Sequence, residues 1–184
     1  RHLDKLQDRV FLEPSAFWDK YDTRLAADSQ LMHLQNHFLT AYDSKITTVN
    51  VSKRDSALWK LAYDDRLTPS EKAAWDLAYK DERLEYIQGL QSGKSKQWLN
   101  YQRYMRDYLR CVMAVDENVG RMLEYLDNNG LTEHTVVVYI SDQGMFLGEH
   151  GWFDKRWMYE ESIRIPLVIR YPKSIDPGQV RHEM

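Results

Sequence analysis

Between Val136 and Ser162 the chain reads VVVYISDQGMFLGEHGWFDKRWMYEES, so an apolar run passes directly into Asp142, Gln143, Glu149, His150, Asp154 and Lys155. Asp142 offers a hard anionic oxygen and Gln143 a neutral amide oxygen, a pair suited to Ca²⁺ or Mg²⁺ and poorly suited to a soft metal. Gly144 then lets the backbone turn sharply. The plain alternative is that Ser141-Asp142-Gln143-Gly144 is a turn closing a strand, with Asp142 bonding nearby amides. Glu149 and His150 also have two readings. They line a pocket or orient a ligand from behind, or they pack their own loop through hydrogen bonds. Trp152, Phe153, Trp157, Met158 and Tyr159 either pack that loop or stack on a sugar ring.

Residues of this kind need a strand to deliver them and helices to back the strand. Thr135 to Ile140 is β-branched and apolar on both alternating faces, as expected of a central strand covered on both sides. Leu167 to Tyr171 reads as a second strand bounded by Pro166 and Pro172. Ahead of them, Tyr101, Tyr104, Tyr108, Val112, Val115, Val119, Met122 and Leu126 recur at steps of three and four and draw one stripe along a long helix. Asp127-Asn128-Asn129-Gly130 ends that helix. This order predicts an α/β layered fold with a largely parallel sheet. In such sheets ligands gather outside the carboxyl ends of the strands, where Asp142 and Gln143 fall.

The first half reads as helical and irregular. Phe17, Trp18, Tyr21 and Leu25 suit one packed helical face, and a further helix is expected from about Asp28 to Tyr42. Thr68-Pro69-Ser70-Glu71 is a capping box with proline at the first helical position, which predicts a helix running to about Leu90. Gln91 to Lys96 is a short, polar, exposed connection.

At 184 residues, 43% apolar and 29% charged, with a formal net charge of -3, the composition is that of an ordinary globular domain. It gives no electrostatic case for nucleic acid or an anionic membrane. No apolar run approaches the ~20 residues that span a bilayer. The opening Arg1-His2-Leu3-Asp4 lacks the pattern of a secretion signal, and the chain reads as a piece of a longer protein. The single cysteine, Cys111, rules out an internal disulfide and reads as a buried structural thiol on a helix face.

Thr135 to Pro172 resembles the metal-and-lysine segment of the sulfatases within the alkaline-phosphatase-like superfamily. The resemblance is carried by Ser141-Asp142-Gln143-Gly144, Gly148-Glu149-His150-Gly151, Lys155 and Arg164-Ile165-Pro166. Asp107 to Leu131 is similar to the helix that leads into that strand, and Phe17 to Arg24 more distantly to the variable helical region before it. The resemblance implies a three-layer α/β/α sandwich, present here as an internal or C-terminal part of the catalytic domain. Residues 1–97 would be the mainly helical variable region, and 98–184 a helix-strand-loop-strand core segment.

The same resemblance implies that Asp142 and Gln143 are two ligands of a single Ca²⁺, with Mg²⁺ the poorer fit, and that Lys155 binds a sulfate oxygen and shares in catalysis. His150 would be a further substrate contact. The implied activity of the whole protein is hydrolysis of sulfate monoesters of a sulfated carbohydrate or small molecule. Positive charge then meets the non-bridging oxygens while a nucleophile attacks sulfur. The implied nucleophile is formylglycine, made from the Cys or Ser of a Cys/Ser-x-Pro-x-Arg motif. The family also implies export to a periplasm or lysosome. The alternatives are a phosphonate or phosphate ester hydrolase of the same superfamily and a non-catalytic sulfatase-like module.

The chain departs from the family pattern in two places. It holds no Cys/Ser-x-Pro-x-Arg motif, since Cys111 is followed by Val112-Met113-Ala114. Its one adjacent aspartate pair, Asp64-Asp65, precedes the capping box rather than following a strand and reads as a solvated loop. The nucleophile and the rest of the metal site are therefore expected upstream, and the chain alone is expected to be inactive.

Overall fold

The computed structural model describes residues 2–49 and 51–181. The chain divides into two compact units, one formed by Arg1–Cys111 with Met145–Asp154 and the other by Val112–Gly144 with Lys155–Met184.

In the first unit a single helical turn, α1 (Leu25–Asp28), precedes α2 (Lys53–Trp59), which runs on as a π-helical turn over Lys60–Asp64. Then come α3 (Pro69–Ala78), α4 (Lys80–Gln91) and the first part of α5 (Lys96–Asn128). The capping box forms as the sequence predicts: the Thr68 hydroxyl accepts from the Glu71 amide, and the Glu71 carboxylate accepts from the Thr68 amide at 2.9 Å. The helix it starts is shorter than expected, because Tyr79, at φ -97° and ψ 1°, breaks it while burying its ring. Asp64 closes the π-helical turn in an ion pair with Lys72.

Neither helix expected before residue 45 forms. Tyr21 and Thr23 adopt left-handed backbone (φ 56° and 69°), which no helix tolerates, so Phe17 is fully buried while Leu25 is exposed. Over 28–42 side-chain oxygens replace helical carbonyls: Asp55 accepts the amides of Ala41 and Tyr42 at 2.9 and 2.8 Å, and Asp43 accepts that of Leu39 at 2.7 Å. Polar side chains of α5 hold the rest of this irregular chain. Gln102 pairs with both backbone groups of Phe11, Asn100 donates to the Leu34 carbonyl at 2.6 Å, and Arg103 and Arg110 donate to the carbonyls of Ser44 and Lys5. Backbone that pairs with neither helix nor sheet must find partners elsewhere, and α5 supplies them. Phe11, Phe17, Leu34, Phe38 and Tyr101 pack between these contacts.

Behind them lies a buried charge network. The Glu82 carboxylate on α4 accepts from Arg103 and from Arg110 (2.6 Å), with Arg106 at 3.7 Å; all four side chains are at most 5% exposed. Through this stretch the buried face of α5 consists of Leu99, Asn100, Tyr101, Gln102, Arg103, Arg106 and Arg110 rather than an apolar stripe alone. Cys111, expected to be buried, is exposed because the arginines take the interior positions.

In the second unit α5 ends where the sequence places its stop, with Gly130 at φ 66°. β1 (Val137–Ile140) and β2 (Leu167–Arg170) follow. They pair antiparallel, Val137 opposite Arg170 and Ile140 opposite Leu167, rather than joining a parallel sheet. Residues 141–166 return the chain to the edge it left, so β2 lies beside β1 without a crossover. The two-sided apolar pattern of β1 is not covered by the described residues: Val138, Ile140, Leu167 and Val168 are 52–60% exposed.

Candidate active site

β1 delivers Ser141 to Gly144 at its carboxyl end, as expected. The Ser141 hydroxyl donates to the Gln143 carbonyl at 2.6 Å and accepts the Gln143 amide at 3.4 Å, which closes a serine turn. Asp142 is exposed and Gln143 half-buried. Gly144 serves a purpose other than a positive φ. A Cβ on it would lie 2.2 Å from the Glu161 carbonyl oxygen and 2.9 Å from that of Arg164, so glycine is there to let two stretches of backbone meet. Its amide donates to the Ser162 carbonyl at 2.8 Å.

Lys155 is exposed and follows Asp154, which is left-handed at φ 79°. Its carbonyl accepts from the Ser162 hydroxyl at 2.7 Å. Ser162, 6% exposed on the short helix α6 (Glu160–Ile163), thus takes the backbone of Gly144 on one side and that of Lys155 on the other. Sequence reasoning missed Ser162. Its only local signal is its place two residues before Arg164-Ile165-Pro166, and a serine there announces no partner.

His150 belongs to the first unit, on a turn flanked by two glycines that the packing requires. A Cβ on Gly148 (φ 107°) would meet the Tyr101 ring at 2.5 Å, and one on Gly151 (φ 67°) the Gln97 amide nitrogen at 2.6 Å. His150 is itself left-handed, at φ 55°. Its Nδ1 lies 2.7 Å from Asp19 Oδ2, and the Tyr21 hydroxyl donates to its carbonyl. Arg24 Nη2 donates to both Asp19 oxygens at 2.6 Å. Burial works against the charge on Asp19, but bonds from the Tyr21 amide, His150 and Arg24 outweigh it and hold its carboxyl down at about 2. Glu149 accepts the Leu147 amide at 2.7 Å, a bond within its own loop. Trp152 is fully buried and stacks on Tyr21 at 5.6 Å, so it packs the turn.

Among the described residues no three His, Cys, Asp or Glu side chains gather as a metal cluster. Asp142 and Gln143 fit a hard cation as a partial oxygen donor set, one carboxylate and one amide. Among the described residues no helix is long and apolar enough to cross a membrane.

The strand, the turn at its end and the lysine that follows form part of an α/β segment, and comparison with known proteins gives its family. Residues 148–184 match the family described as N-sulphoglucosamine sulphohydrolase, C-terminal. The chain is 44% identical over 179 residues to an N-acetylglucosamine-6-O-sulfatase of Bacteroides thetaiotaomicron, covering 97% of this chain and 32% of that protein. It is similar to the solved structure of BT4656 in complex with its substrate D-glucosamine-2-N,6-O-disulfate, with TM-score 0.83 and 44% identity over 97% of this chain and 36% of that one. A multifunctional alkaline phosphatase superfamily protein, PehA of Trinickia caryophylli, is 40% identical over 81 residues, 44% of this chain and 15% of that protein. The chain belongs to the sulfatase family, with the partial α/β fold that the resemblance implied. It spans about a third of the length of the first of these relatives.

Proposed function

We propose that the protein containing this chain is a sulfatase that hydrolyses sulfate monoesters of amino sugars, with 6-O-sulfated glucosamine as the substrate class. The observation that carries this reading is the match along 97% of the chain to an N-acetylglucosamine-6-O-sulfatase, supported by the likeness to a structure holding a glucosamine disulfate. Asp142 and Gln143 supply two ligands to Ca²⁺. When bound, the cation provides positive charge toward ester oxygens and orients the nucleophile. Lys155 holds a non-bridging sulfate oxygen, which requires only a point charge with reach. His150 contacts the sugar. The nucleophile is formylglycine from a Cys/Ser-x-Pro-x-Arg motif outside these residues.

The test uses the full-length protein with glucosamine 6-sulfate and a phosphate monoester as parallel substrates. Faster sulfate than phosphate release is expected. Lys155→Ala should lower kcat/KM for the sulfate ester by at least about a hundredfold, the scale of losing one transition-state donor. Asp142→Ala should lower bound calcium measured by elemental analysis. Normal turnover in both variants would remove these roles. Preferential cleavage of phosphate or phosphonate esters would favour the second reading, which the similarity to PehA keeps in view.

A further inference from the structure

We infer that Ser162 is a positioning residue that sets Lys155 against the Asp142-Gln143 turn. This rests on the sulfate-binding role proposed for Lys155. Two independent features converge on Ser162. Its hydroxyl donates to the Lys155 carbonyl at 2.7 Å, and its own carbonyl accepts the Gly144 amide at 2.8 Å. Gly144 is in turn pressed so closely against the Glu161 and Arg164 carbonyls that any side chain there would collide with backbone. The backbone at 144 and the backbone at 155 are therefore both tied to Ser162, the first through its carbonyl and the second through its hydroxyl.

The physical consequence concerns the peptide that carries the lysine. Lys155 is exposed and carries a four-carbon stem, while the preceding residue Asp154 sits in left-handed backbone that resists readjustment. The Ser162 hydroxyl holds the Lys155 carbonyl from a buried side chain, and removing it takes away one hydrogen bond to the peptide from which the lysine projects. α6 is too short to be rigid alone, but its Ser162 and Ile163 amides both return to the Tyr159 carbonyl, at 2.9 and 3.0 Å, and hold the serine in place. The peptide that carries the ammonium group is thereby held in one place before a ligand arrives, which is the general advantage of a pre-organised site.

The experiment compares Ser162→Ala, Ser162→Cys, Lys155→Ala and the Ser162→Ala/Lys155→Ala double variant of the full-length, metal-loaded protein. The readouts are binding of inorganic sulfate by calorimetry, kcat/KM for glucosamine 6-sulfate, bound calcium and Tm. Ser162→Ala should weaken sulfate binding by about three- to tenfold, the worth of one net hydrogen bond. Calcium content should stay unchanged, Ser162→Cys should fall between alanine and wild type, and the double variant should bind no more weakly than Lys155→Ala. Wild-type sulfate affinity in Ser162→Ala, or a full additional loss in the double variant, would overturn the inference while leaving the proposed function standing. Unchanged sulfate binding in Lys155→Ala would sink the role of the lysine and the inference with it. Should Ser162→Ala fail to fold, Ser162→Cys is judged by the same criteria.

Discussion

The two units break opposite halves of the usual folding rule. The first buries charge: Glu82, Arg103, Arg106 and Arg110 lie within it at 5% exposure or less, and polar side chains of α5 hold an N-terminal stretch that has almost no regular structure. The second exposes grease: both faces of the β1–β2 pair and the outer half of α5, including Met122 and Tyr125, are open to solvent. Buried charge is tolerated when it is paired, and exposed apolar strands are costly unless something covers them. The first unit thus pairs the charge it buries, and the second presents strands whose apolar faces the described residues do not cover.

The largest expected effect tests the first half of that contrast. Glu82→Gln leaves Arg103 and Arg110 buried without a full counter-charge, and breaking such a network costs about 3–5 kcal/mol. Denaturant unfolding of the full-length protein would show it as a lower midpoint, and a change under about 1 kcal/mol would mean the network is wetter than its burial indicates.

A smaller effect concerns acid. Asp19 has a folded pKa of about 2, below its unfolded value, so its bonds stabilise fully above about pH 4. That contribution is lost as pH falls through the folded value. Asp19→Asn should therefore destabilise the protein at neutral pH and flatten the fall in Tm between about pH 4 and 2, measured by thermal scans across that range. An unchanged acid profile would show that the bonds to Asp19 from the Tyr21 amide, His150 and Arg24 together carry little free energy.

The smallest effect sharpens the contrast. In the isolated 184-residue chain, Val138→Ala should change stability by under about 0.5 kcal/mol, as at an exposed site. In the full-length protein the same change should cost ~1–3 kcal/mol if the strand is covered there. Equal effects in both would show that β1 has no further cover.

Local signals were legible where their chemistry is short-range. The Thr68 capping box, the stop at Gly130, both strands and the placement of Asp142 after the first of them follow from neighbours a few residues apart. The resemblance across Thr135 to Pro172 was legible for the same reason, being a dense run of residue types in order. The expected helix over 17–25 failed because Tyr21 and Thr23 take left-handed backbone, and the one over 28–42 because its backbone is claimed by partners farther along the chain. Asp55 and Asn100 leave no trace of that in the local pattern.

What the amino-acid order determined by itself was therefore the elements of the second unit and which residues stand at the end of β1, because periodicity and turn residues act within a few positions. Only the tertiary structure decided that the strands run antiparallel, that His150 meets Asp19 across 131 positions, and that Ser162 ties Gly144 to Lys155. Hydrogen bonds between residues far apart in the chain depend on how it folds back, and no local preference encodes that return.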